Sequence, residues 1–282
     1  MQKENWESLI QEFNERGYVV LENVFSREEV LMMRREADRI LELIVNSSLA
    51  NGRKSGRLDL VESTAGEHLV RKIQPINDLS LLLSTISADE RFLAPMGALM
   101  QAEPLLMEEK LNFKEPLPAP IPGLTSTRLD DRFPVHSDWA YYQSQGYPSS
   151  IVSSAICIDD CTEENGPIHV WPGSHTKHLE HENNEIGLQV KPGLVDFSDG
   201  IDLLTSAGSV LLFHSMLIHN SKPNATSGPR RLMIYSHYPS TFETCFDARN
   251  GQRRFKESPY EWEYARKKTE GEFTDSFTAP QL

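Results

Sequence analysis

Apolar residues recur at helical spacing at the start of the chain. Trp6, Leu9, Ile10 and Phe13 fall on one face, and Gly17 stands where a helix C-terminal cap is expected. Tyr18-Val19-Val20-Leu21 then reads as a short buried strand. Ser26 and Glu29 form a capping box that opens a long amphipathic helix through Val30, Met33, Ala37, Ile40, Leu41 and Ile44. Residues 51–56, Asn-Gly-Arg-Lys-Ser-Gly, break that pattern as a loop. Ser87 and Glu90 predict a second capping box. Phe92, Leu93, Met96 and Met100 predict the helix behind it, with Pro95 near its first turn.

After about Leu105 the period changes. Short β-rich runs alternate with turn residues, the pattern of a sandwich or barrel. Predicted strands are 111–113, 135–142, 151–158, 168–171, 187–190, 209–213 and 231–238. Pro116, Pro118, Pro120 and Pro122 crowd one connection, 116–132, which is too proline-dense for a helix or a central strand. It reads either as a lid over a site or as a rigid surface connection. The tail after Phe242 mixes charge and aromatics and predicts some helix packed back onto the sheet. Helices first and strands afterwards favour a mostly β, α+β fold over a doubly wound sheet. The chain reads as one domain over 1–282: a helical part to about 104, a β core of about 105–240, and an extension over 241–282.

Composition narrows the function classes. With 39% hydrophobic and 24% charged residues, the 282-residue chain can build a core and is not broadly disordered. Lys and Arg number 28 against 41 Asp and Glu, a formal net charge of −13. That sign argues against sequence-independent nucleic-acid binding and against docking on an anionic membrane. No stretch approaches ~18 apolar residues, and Met1–Trp6 lacks the apolar run of a secretory signal, so a cytoplasmic protein is expected. Three cysteines rule out a disulfide-stapled scaffold. No Gly-rich dinucleotide turn and no Walker loop is present. Oligomeric state is left open.

The candidate chemistry lies in Phe133-Pro134-Val135-His136-Ser137-Asp138-Trp139-Ala140-Tyr141. In a strand, side chains at i and i+2 share a face, so His136 and Asp138 would project together. An imidazole and a carboxylate are two of the three ligands of a facial triad for non-haem Fe(II). The competing reading is a surface histidine bonded to a neighbouring acid. Further on, the apolar strand Ser209–Phe213 leads to His214 and His219, then a polar turn, then Arg230-Arg231 opening the next strand. Such a hairpin can bring a late histidine near an early arginine, whose planar fork suits the far carboxylate of a dicarboxylate co-substrate. His214 competes with His219, but its odd offset of five would face it the other way; Arg231 competes with Arg230 on the same ground. His169, His175, His178 and His181 could suggest a second metal cluster, although they fall in a polar, acidic stretch. Cys157 and Cys161 lack the second cysteine pair of a structural zinc site. Trp139, Tyr141 and Tyr142 either line a substrate pocket or pack in the core.

Here the sequence resembles the phytanoyl-CoA dioxygenase family of Fe(II)- and 2-oxoglutarate-dependent oxygenases. The likeness runs from about Gly17 to Tyr238. It rests on Gly17–Val24, on His136-Ser137-Asp138-Trp139-Ala140-Tyr141-Tyr142, on Thr162–Pro167 with Pro172-Gly173-Ser174-His175, and on the stretch from His219 to Arg230. The resemblance implies a double-stranded β-helix, a cupin-like jelly-roll of two facing sheets buttressed by the N-terminal helices. It implies Fe(II) bound by His136, Asp138 and His219, which decides between His219 and His214. Arg230, assisted by Ser221, would hold the distal carboxylate of 2-oxoglutarate, and Lys114 sits where members often carry a polar co-substrate contact. Some members have a tryptophan near the place of Ala155, so the co-substrate pocket differs there. The implied activity couples O2 and 2-oxoglutarate, released as succinate and CO2, to hydroxylation of a small-molecule metabolite. Desaturation, epoxidation, halogenation or a non-catalytic metal-binding module are the alternatives.

Overall fold

A computed structural model describes residues 6–62, 66–117, 132–185, 187–243 and 259–279. Helix α1 (Trp6–Arg16) and strand β1 (Tyr18–Leu21) meet at Gly17. Its φ of +82° suits glycine, and a Cβ there would come 2.5 Å from His175 Nδ1. Helix α2 (Arg27–Ala50) opens with the expected capping box: Ser26 Oγ accepts from Glu29 N at 3.2 Å, and Glu29 Oε2 accepts from Ser26 N at 2.8 Å. Strands β2 (Leu58–Glu62) and β3 (His68–Ile73) and helix α3 (Leu81–Ile86) follow, none of them anticipated from sequence. Helix α4 (Glu90–Met100) is capped by Asp89, whose side chain accepts from Arg91 N. The Ser87–Glu90 box is therefore not formed; Ser87 closes α3 instead, because that helix ends just where the box would begin.

Strand β4 (Pro104–Pro116) is far longer than the three residues predicted. Of the proline-rich connection, residues 118–131 lie outside the described residues, and with them the lid reading. Next come β5 (Phe133–His136), α5 (Trp139–Tyr142), β6 (Val152–Cys157), β7 (Ile168–Val170), β8 (His181–Asn184), β9 (Gly187–Val190) and β10 (Ile201–Leu203). Strands β11 (Val210–His214), β12 (His219–Ser221) and β13 (Leu232–Pro239) complete the core. The expected strand 135–142 is corrected here: it stops at His136, and Asp138 already has helical φ/ψ of −60° and −34°.

Seven strands form one sheet in the order β1-β11-β6-β13-β4-β3-β2. A second sheet runs β10-β7-β12-β5, with β8 and β9 as a separate hairpin. Every strand pairing is antiparallel, and the two larger sheets make the jelly-roll. The large sheet is buried on both faces, which explains its continuous apolar runs. Val210, Leu212, Met233 and Tyr235 join the core cluster under the helices, where Tyr235 stacks on Phe92 of α4, while Leu211, Phe213, Leu232 and Ile234 belong to the cluster on the opposite face. From α2 come Met33, Ala37, Ile40, Leu41 and Ile44, all essentially inaccessible, so the helices buttress the sheet as expected. Each such large apolar side chain contributes roughly 1.5–3 kcal/mol on leaving water.

The tail helix α6 (Pro259–Thr269) packs on α2 rather than on the sheet. Glu261 accepts from Ser55 Oγ at 2.5 Å, and Asn46 donates to the Phe277 carbonyl at 2.8 Å. The α2 helix already covers that face of the sheet, so the tail can reach only the helix layer.

One buried acid lies under this layer. Burial pushes the Glu115 carboxyl up from 4.5 to about 7; Arg231 opposes the shift, and Asp38 and Asp159 add to it. The folded protein thus holds this proton more tightly than the unfolded chain does. Its contribution is fully present below about pH 4.5 and is lost as pH rises through about 7. Glu115→Gln should remove that loss, stabilising the fold by up to roughly 3 kcal/mol at pH 8 with little effect at pH 5. Thermal melts across this range check it; parallel curves for both proteins would refute the burial argument.

Candidate metal centre

His136 ends β5 and His219 begins β12, and the two are direct partners in the sheet register. Their rings lie 4.4 Å apart between centroids. Asp138 enters from the turn between β5 and α5, so it shares their side through a strand-to-helix turn and not through strand alternation. One ligand atom from each residue lies within 4.8 Å of the others, and among the described residues this is the one grouping of that kind.

Both histidines are held in one tautomer. His136 Nδ1 donates to the Pro134 carbonyl at 2.7 Å, and His219 Nδ1 to the Leu217 carbonyl at 2.9 Å. The Nε2 lone pairs are left facing Asp138 Oδ1 at 3.6 and 3.9 Å. Those separations are too long for hydrogen bonds and leave room between the donors for an ion. Two imidazole nitrogens, one carboxylate oxygen and carbonyl-anchored rings fit a non-haem Fe(II) site. Burial pushes the Asp138 carboxyl up, but Lys110 and the two imidazoles outweigh it and hold it well below the usual carboxylate range. Burial and His136 push His219 down to about 4. An ionised carboxylate and a neutral imidazole are what metal binding requires.

The centre opens into a cavity of about 380 Å³ between the sheets. Arg230 and Ser221 line it beside the triad. Arg230 is 1% exposed, and Ser221 Oγ is buried with no hydrogen-bond partner among the described residues. Arg231 turns away, as alternation requires, into ion pairs with Asp159 at 2.8 Å and with Asp38. His214 also turns away, to lie against His175 and Phe13. Tyr141 and Tyr142 line the cavity; Trp139 does not.

Lys114 Nζ lies 5.8 Å from the ring centroid of Phe133, which lines the cavity. Lys114 is not itself among the lining residues; its ammonium donates to the Lys222 carbonyl, and Asn224 Nδ2 donates to the Lys114 carbonyl at 3.0 Å. Lys114 thus ties β4 to the turn that leads into Arg230. The same strand presents Lys110 to the cavity.

Sequence reasoning also missed His181. Its Nε2 accepts from Ser137 N at 3.1 Å, bracing the turn between His136 and Asp138 from 44 residues away. Nothing local in the sequence signals that contact. His169 pairs with Asp202 at 2.6 Å and His175 lies against His214, whereas His178 and His181 stack with ring centroids 5.3 Å apart; the four make no metal-donor cluster among the described residues. Cys157 and Cys161 lie with their sulfurs 4.0 Å apart and join no group of three metal donors among the described residues.

A jelly-roll with this donor set at its mouth defines a non-haem Fe(II)- and 2-oxoglutarate-dependent dioxygenase. The family model described as phytanoyl-CoA dioxygenase matches residues 13–232, and the chain belongs to that family. The ectoine dioxygenase of Stutzerimonas stutzeri is 27% identical over 258 residues, covering 84% of this chain and 79% of that protein. The peroxisomal phytanoyl-CoA dioxygenase of Mus musculus is 25% identical, covering 83% and 68%. The crystal structure of EctD from S. alaskensis with 2-oxoglutarate and 5-hydroxyectoine has the same fold. Its TM-score is 0.62 at 20% identity, covering 88% of this chain and 79% of that one. No helix among the described residues is long and apolar enough to cross a membrane.

Proposed function

We propose that this chain hydroxylates a small-molecule metabolite, with His136, Asp138 and His219 holding Fe(II) and with Arg230 and Ser221 holding 2-oxoglutarate. The observation that carries this reading is the pair of anchored imidazoles facing Asp138 inside a cavity that also contains the Arg230 fork. Bound iron would supply the activation of O2 that is coupled to decarboxylation of 2-oxoglutarate. The protein's part is to orient and to keep water out. Arg230 can take the far carboxylate through two parallel N–H donors, and the free Ser221 hydroxyl can add a third. Pro134 and Leu217 carbonyls fix the rings, and His181 fixes the backbone between two ligands. Lys110, kept cationic against burial by Glu108 and Asp138, stabilises the ionised carboxylate. We place the enzyme in the cytoplasm, in keeping with the free thiols of Cys157 and Cys161. Ectoine, named in several relatives, is the first substrate to test.

Asp138 also bears on the outcome. Its carboxylate occupies the position that a halide would need, and its negative charge disfavours one alongside. With Fe(II), 2-oxoglutarate and a turned-over substrate in high chloride, succinate should form together with a product one oxygen heavier. Succinate release that does not depend on iron would refute the reaction class; a chlorinated product would refute the role of Asp138.

A further inference from the structure

Successive residues of an undisturbed strand point to opposite faces. Strand β3 breaks that rule. Asp59 of β2 stands opposite Lys72, and Leu60 stands opposite Val70, so Arg71 is the extra residue of a bulge. The register with β4 shifts at the same place. Val70 and Ile73 point into the helix-facing core, while Arg71 and Lys72 both line the cavity.

Arg71 is 6% exposed. Its guanidinium stacks on Phe133, with Cζ 4.5 Å from the ring centroid. Its Nε is buried without a hydrogen-bond partner, and it makes no ion pair among the described residues. The neighbouring cavity cations have carboxylates at hand: Lys110 lies 3.3 Å from Glu108, and Lys72 lies 3.9 Å from Asp59. Arg71 is therefore a buried cation, held over an aromatic ring at the wall of a ligand cavity, with no anion of its own among the described residues. A buried charge in that state lowers stability unless a partner is supplied.

We propose that Arg71 binds an oxyanion carried by the primary substrate, a carboxylate or a phospho-oxyanion, and so selects anionic over neutral substrates. The inference rests on the oxygenase reading, in which Arg230 serves the co-substrate and is not available to the substrate. The formal net charge of −13 repels anions at long range, so recognition is local, through the planar fork. The bulge is the device that makes it possible. Without the extra residue, Arg71 and Lys72 would point to opposite faces.

The test uses the full chain with Zn(II) in place of Fe(II) and saturating 2-oxoglutarate, so that the metal and Arg230 are already engaged. Trifluoroacetate, followed by fluorine NMR, probes a carboxylate site; methylphosphonate, followed by phosphorus NMR, probes a phospho-oxyanion site. At least one should bind the unmutated protein. Its dissociation constant should rise about tenfold or more in Arg71→Gln and by less in Arg71→Lys, which keeps the charge but not the fork. The tighter probe identifies the substrate's anion. Affinity for 2-oxoglutarate, measured separately by calorimetry, should stay within about twofold in both variants. Should Arg71→Gln not fold, weaker probe binding by Arg71→Lys than by the unmutated protein carries the same conclusion, and equal binding overturns it. The proposal is also overturned if neither probe binds the unmutated protein or if Arg71→Gln binds as well. A variant that loses 2-oxoglutarate would assign Arg71 to the co-substrate instead. Failure of the unmutated protein to bind 2-oxoglutarate would strike the oxygenase reading itself, a result visible in the calorimetry before either probe is added.

Discussion

Fe(II) affinity is expected to fall at least about 100-fold when His219 is replaced by Ala. Loss of an outer partner to a metal ligand already costs about 10–100-fold in affinity, and loss of the ligand itself removes a donor outright. The site has no substitute. His219 Nε2 lies 3.9 Å from Asp138 Oδ1, and no other metal-donor side chain joins that cluster among the described residues. His214 is the natural control. It lies half-buried against His175 and Phe13, and desolvation pushes it down to about 4, but it does not line the cavity. His214→Ala should therefore bind iron normally. Titration against a competing chelator measures both variants, and anomalous scattering locates the metal. Iron retained by His219→Ala, or lost by His214→Ala, would reverse the choice of ligand.

The neighbouring arginines should separate just as cleanly. Arg230→Leu should weaken 2-oxoglutarate binding by roughly 30-fold to several thousand-fold, since truncating one partner of a buried charge pair costs about 2–5 kcal/mol. Iron binding should persist, because Arg230 is not a member of the donor cluster. Arg231→Leu should act on stability instead. Its guanidinium is fully withdrawn from solvent and bridges Asp159 and Asp38, so its removal takes the cation from Asp38 and leaves Asp159 with Arg34. Breaking such a buried network costs about 3–5 kcal/mol. Calorimetry with 2-oxoglutarate and urea unfolding read the two effects independently. A larger loss of 2-oxoglutarate affinity in Arg231→Leu than in Arg230→Leu would invert the assignment.

Much of this molecule is written in short-range pattern. The helical spacing in α1 and α2, the Ser26–Glu29 box and the apolar runs of β6, β11 and β13 each depend on neighbours within a few residues. Sequence alone also offered His136, Asp138, His219 and Arg230 as candidates, because residue type and spacing limit what an iron and dicarboxylate site can use. It misjudged how Asp138 reaches the site. The strand period was extended past His136, where the chain had already turned into α5. It passed over β2 and β3, whose apolar positions are interrupted by Asp59, Arg71 and Lys72.

What the tertiary structure decided is of another kind. Register places His219 directly across from His136, and packing brings His181 back to the backbone of Ser137. Lys114 reads like a co-substrate contact by position, and the fold ties it to the Lys222 carbonyl and presents Lys110 to the cavity. The β3 bulge turns Arg71 and Lys72 to one side, which no alternation rule allows. The physical reason is the same each time. Element type follows from local sterics and apolar period. Which side chain finds a partner depends on register and burial between segments far apart in the chain, and those are fixed only when the sheets close around a common core.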